Sequence, residues 1–107
     1  MNKEFVKLEK VKKVIKGTEY TAQFNGALAA LEAIDRTYIK GTDNTSMVKM
    51  TEYVFEHVIV APSGLTPNNF ESTEEPREVV RFGREVMNGK LDQFRNDKGT
   101  NKEAGKN

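Results

Sequence analysis

With 107 residues, 36% of them hydrophobic and 31% charged, and a formal charge of +1, the chain is expected to be one domain with a modest core. It contains no cysteine, which excludes disulfides and thiol chemistry, and no apolar run of bilayer-spanning length. Its opening residues lack a continuous apolar stretch and its charge is near balance; this argues against a secretory signal and against a dense nucleic-acid-binding patch, so a soluble cytoplasmic protein is expected.

Residues 4–24 read as β-structure. Tyr20, Ala22 and Phe24 alternate with Glu19, Thr21 and Gln23, a period of two with one apolar face. The preceding run from Phe5 to Ile15 is rich in Val and Leu with interspersed lysines. Lys16-Gly17 lies between the runs, so a hairpin with its turn at 16–18 is expected. The lysines suit an exposed edge, where charge discourages strand addition.

At Asn25-Gly26 the period changes. Leu28, Leu31, Ile34 and Tyr38 share one helical face, Asn25 is a candidate N-cap, and Lys40-Gly41 is a stop signal. A first helix is expected over 26–40. Asp43 or Asn44 would cap a second over 44–58. Met47, Met50, Val54 and His57 form one stripe on it, and Val48, Phe55 and Ile59 another. Ser72-Thr73-Glu74-Glu75 has the spacing of a capping box ahead of a third helix, 73–89. That helix carries Val79, Phe82, Gly83 and Val86 on one face, with Val80 and Met87 beside them. Leu91 and Phe94 would add a last amphipathic turn. The fold class is therefore α+β: an N-terminal β-hairpin, about three α-helices and a disordered C-terminal tail. The domain spans 1–94; residues 95–107 hold no apolar residue larger than alanine, too little to offset the entropy of ordering them.

The connector HVIVAPSGLTPNNFES, 57–72, reads as a joint. Pro62 biases Ala61 towards extended geometry, so Val58, Ile59 and Val60 should run extended against the body of the fold. Phe70 would act as a hydrophobic staple near Ser72. The joint would set the angle between helices two and three.

Nothing along the chain forms a catalytic, cofactor or metal constellation. His57 is the single histidine, and its place in the last turn of helix two is accounted for by the helix dipole. The glycines fall at element boundaries, not in a phosphate loop. A non-enzymatic binding or scaffolding domain without a cofactor is expected. Met47, Met50, Val54 and Phe55 of helix two and Val79, Phe82, Val86 and Met87 of helix three are the candidate protein-binding or oligomer surface. The plain alternative is that the same residues are core.

The order of features, a lysine-rich hairpin with GTEYTAQFNG, two helices, YVFEHVIVAPSGLTPNNFES, EEPREVVRFGREVMNGKLDQF and a polar tail, resembles the tail assembly chaperones of long-tailed phages that infect Gram-positive bacteria. VIVAP (58–62), NNFES (68–72) and EVVRFGREVMNGK (78–90) carry the likeness, which covers roughly residues 5–94. The resemblance implies a non-enzymatic protein that coats the tape measure protein, keeps it soluble and recruits the major tail protein. It implies action in the host cytoplasm and absence from the mature virion. Many copies along one client would gain from weak self-association, and from the residues neither nucleic acid nor membrane is expected as a partner. Two other readings stand beside it. One is a structural head–tail or minor tail protein of the virion. The other is a small regulatory nucleic-acid-binding protein, reading Arg77, Arg81 and Arg84 on one face of helix three as phosphate contacts. Those arginines are interleaved with Glu74, Glu78 and Glu85, so intrahelical ion pairs are expected instead.

Overall fold

A computed structural model describes residues 9–95. The expected hairpin consists of β1 (Lys10–Ile15) and β2 (Thr18–Gln23), paired antiparallel with Val11 opposite Ala22 and Ile15 opposite Thr18. Lys16 and Gly17 both have positive φ, 50° and 86°, the geometry of a tight two-residue hairpin turn that follows the strand twist. The strand expected over residues 4–8 lies outside the described residues, as does the tail beyond Arg95.

The connector contributes a strand. Ile59–Ala61 forms β3, antiparallel to β2, with a bulge between Thr21 and Ala22, so the sheet order is β1-β2-β3. Among the described residues β2 is therefore central, and β1, with its lysines, lies at an edge. Val11, Ile15, Tyr20 and Ala22 are buried on the inner face. Lys13 shares that face in register, and its ammonium lies 5.9 Å from the centre of the Phe94 ring.

Three helix starts differ from the sequence expectation. Helix α1 runs Ala27–Thr37 and begins at Gly26 without a side-chain cap. The Asn25 side chain is spent elsewhere: it accepts from Gln23 Nε2 at 2.7 Å and donates to the His57 carbonyl at 3.2 Å. Helix α2 (Met47–Tyr53) is capped by Ser46, whose Oγ accepts from the Lys49 N–H, and not by Asp43 or Asn44. Residues 38–45 are held instead by a bridge between Tyr38 and Thr45 and by the Ile39 N–H donating to the Asn44 carbonyl. Helix α3 (Glu74–Met87) starts after Thr73 with no side-chain cap, so the capping box read at Ser72 and Glu75 does not form. Glu75 instead accepts a hydrogen bond from the buried Tyr20 hydroxyl, which fastens the start of α3 to the sheet. Burial first, and the carboxylate second, push the Tyr20 phenol well above its ordinary pKa. A capping box does form at Thr66 and Asn69, around the 3₁₀ turn Pro67–Asn69.

α2 continues into a single π turn, Val54–Val58, closed by the Ile59 N–H donating to the Val54 carbonyl. The wider turn brings Val54, Phe55 and Val58 to the core, turns His57 outward, and passes the chain directly into β3. α3 crosses the sheet and the π turn, burying Val79, Phe82, Val86 and Met87. Gly83 meets Val54 there: a Cβ at Gly83 would run into Val54 Cγ1. The chain then turns at Asn88-Gly89, buries Leu91, and forms the short helix α4 (Asp92–Arg95). Phe94 meets Phe82 edge-on at 5.0 Å. Arg95, assigned to the tail from sequence, is part of the fold: its guanidinium grips both Glu9 carboxylate oxygens at 2.8 Å and Asp92 at 2.6 Å.

Candidate functional site

Tertiary structure divides the eight candidate surface residues. Met50, Val54, Val79, Phe82, Val86 and Met87 are core, each less than one-twentieth exposed. They are accessible only if the fold opens, which corrects their reading as a surface. Phe55 is buried but reaches a groove wall, and Met47 is 54% exposed. The two stripes read on helix two do not survive as stripes: Met47 and Val48 face solvent, Met50 and Val54 are buried in the core, and the π turn resets the register after Tyr53.

Three of the eight large hydrophobic residues exposed among the described residues lie on α1. Leu28, Leu31 and Ile34 are 72%, 61% and 43% exposed, whereas Ala30, Ala33 and Thr37 are buried. The expected apolar face is thus the outer face, and the helix packs through its small residues. Thr37 tolerates burial because its hydroxyl donates to the Ala33 carbonyl at 2.7 Å. Tyr53 of α2 reaches α1 with its hydroxyl 3.4 Å from the Ala29 carbonyl. Beyond α1, the Ser46 N–H donates to the Thr37 carbonyl at 2.6 Å, which sets the start of α2 beside the end of α1. Exposed Tyr38 and Ile39 therefore approach exposed Met47 and Val48. The helical period that located α1 carried no information on which of its sides would be covered.

Next to this surface, α2 and the loop 63–68 enclose an open groove of about 990 Å³. Its apolar walls include Met47, Val48, Phe55, Ile59 and Leu65, with Glu52 and Glu56 also lining it. Phe70 packs on Phe55, with ring centres 5.8 Å apart. A second, smaller depression of about 380 Å³ lies between α2 and α3 and shares Met47 with the first.

The arginines of that depression depart from the sequence reading. Glu74 turns to Lys16, 3.6 Å away, and no ion pair joins Arg77, Arg81 or Arg84 to a carboxylate among the described residues. The intrahelical pairs expected on helix three are not formed.

His57 stacks at an angle on Tyr53, with centroids 4.7 Å apart, and lies 3.7 Å from Glu56. Both partners are exposed or half-buried on the helix surface, and no nucleophile is among them. Among the described residues, no group of three or more His, Cys, Asp or Glu side chains is placed to hold a metal ion. No described helix is long and apolar enough to cross a membrane. The arrangement can bind by apolar contact and by charge. No family model, curated protein or solved structure matches the chain.

Proposed function

We propose that this chain is a non-enzymatic tail assembly chaperone of the kind its sequence resembles, holding apolar stretches of a tape measure protein until the major tail protein polymerises around them. The observation that supports this reading is the outward-facing leucine stripe of α1, continued by Tyr38, Ile39, Met47 and Val48 and flanked by the groove beside α2. Scattered exposed apolar residues are ordinary on a monomer, but several of them along one helix face and the start of the next helix, beside a concave apolar groove, suit a protein-docking surface. Covering one such leucine is worth about 1.5–3 kcal/mol, so several weak contacts repeated along a long client suffice for reversible coating. Amphipathic helical clients dock by laying their apolar side on such a surface. The major tail protein is the second partner under this reading. The host cytoplasm is the site of action.

Co-expression with tape measure fragments tests the proposal. The chain is expected to keep the fragments soluble, to co-purify with them, and to be absent from purified particles by mass spectrometry. Recovery in the particle would instead support a structural tail component. A strict monomer by light scattering, with no shift on adding the fragments, would refute the chaperone reading.

A further inference from the structure

Arg77, Arg81 and Arg84 project from one face of α3, and with Lys90 they line the depression floored by buried Val80 and edged by exposed Met47. Glu85 is the one carboxylate in that lining. None of the four cationic side chains makes a hydrogen bond or ion pair among the described residues. The contrast with Arg95 is direct, since its guanidinium is held by two carboxylates. Guanidinium groups are built for bidentate capture of carboxylates, and here three of them stand free on one concave surface.

We infer that this depression is a docking site for an acidic helical segment of a partner protein. The spacing supports the helical form. At 1.5 Å rise per residue, the three arginines are set about 6 Å and then about 4.5 Å apart along α3. A partner helix with glutamates at i, i+4 and i+7 presents carboxylates at the same intervals. Met47 supplies the apolar contact that helix needs, and it also lines the larger groove beside α2, so one client can pass from apolar to cationic surface without a break. Duplex DNA fits less well. Four cations with a carboxylate among them fall short of the six to ten phosphate contacts, about, of a typical DNA-binding protein. The inference rests on the reading of the chain as a protein-binding domain and adds the charge of the partner.

Fluorescence anisotropy with the full-length chain decides it. The probe is a labelled helical peptide with glutamates at i, i+4 and i+7 and a leucine on the flank, compared with the same peptide carrying glutamines. The glutamate peptide is expected to bind at least about tenfold tighter at low salt, with the advantage shrinking as salt rises. The double variant Arg81→Gln, Arg84→Gln should lose that advantage while melting as the parent does, because both side chains are exposed. Equal affinity for the two peptides, an unaffected double variant, or displacement of the peptide by duplex DNA with a steep salt slope would overturn the inference. Capture of tape measure fragments by the double variant, with no glutamate preference in the parent, would reject this site and leave the chaperone reading standing. Failure of the parent chain to capture or solubilise tape measure fragments, with the glutamate preference intact, would do the reverse.

Discussion

α1 and α3 are both amphipathic helices, yet one turns its large apolar side chains out and the other turns them in. α3 lies across β1, β2 and the π turn, so its valines, Phe82 and Met87 are covered from three directions. α1 approaches its neighbours through Ala30, Ala33 and Thr37, and small side chains let helix backbones come close. Leu28, Leu31 and Ile34 are left facing solvent. Periodicity of 3.6 specifies that a helix has a distinct apolar side; it does not specify that something within the same chain covers it. The difference between the two helices separates residues that hold the fold from residues that are free to bind.

Substitutions should divide along the same line. The largest effect is expected at the α3 side of the core. Phe82→Ala removes a ring that is 1% exposed and packed on Phe94, and should cost about 3–5 kcal/mol in chemical denaturation. That is a large share of the roughly 5–15 kcal/mol typical of a domain. Gly83→Ala comes next. Its new methyl would press on Val54, costing about 1–3 kcal/mol despite the better helix propensity of alanine. Pairing Gly83→Ala with Val54→Ala should recover part of the Gly83→Ala loss, since the crowding is relieved; strict additivity in a double-mutant cycle would show that the two do not meet. The smallest effect on stability belongs to α1. Leu28→Gln and Leu31→Gln should each leave folding stability within about 0.5 kcal/mol of the parent, while self-association and retention of tape measure fragments fall. Should Leu31→Gln destabilise the chain as strongly as Phe82→Ala, the division between the two helices would be wrong and α1 would have to be counted as core.

The hairpin was legible because it combines alternation with a Lys-Gly turn, two local signals that agree. The third helix was legible through its dense Val/Phe/Val/Met face. The caps were not. Asn25, Asp43 and Ser72 are all good capping residues by type, but Asn25 is engaged by Gln23 and His57, Asp43 lies in the bridged loop, and Glu75 is drawn to Tyr20. Capping competes with other polar partners, and a tertiary partner fifty-five residues away leaves no mark in a local window. β3 was half legible: Val58-Ile59-Val60 reads as extended, but Val58 closes the π turn and the strand is Ile59–Ala61, and its partner strand lies far earlier in the chain, so only folding shows that it completes a sheet.

For the candidate surface the balance is less favourable. Of the residues chosen from their stripes on helices two and three, Met47 is on the surface and Phe55 reaches a groove; the others hold α2, the π turn and α3 together. A π turn at the end of helix two, Val54–Val58, shifts the register by part of a turn, which no regular period anticipates. The arginines of α3 were seen on one face and assigned to ion pairs, because glutamates stand at helical spacing from them. Glu74 and Glu75 take partners on the hairpin instead, Lys16 and Tyr20.

By itself, the sequence determined the α+β class, the position of the hairpin turn, the existence of the main helices and the lack of a cysteine or histidine cluster, all of which depend on neighbours within a few residues. Only the tertiary structure decided which side of α1 is bare, which strand Ile59–Ala61 joins, and which arginines are left without carboxylates. Each of those outcomes is a competition among groups distant along the chain for the same surface, and it is settled by packing geometry, not by pattern.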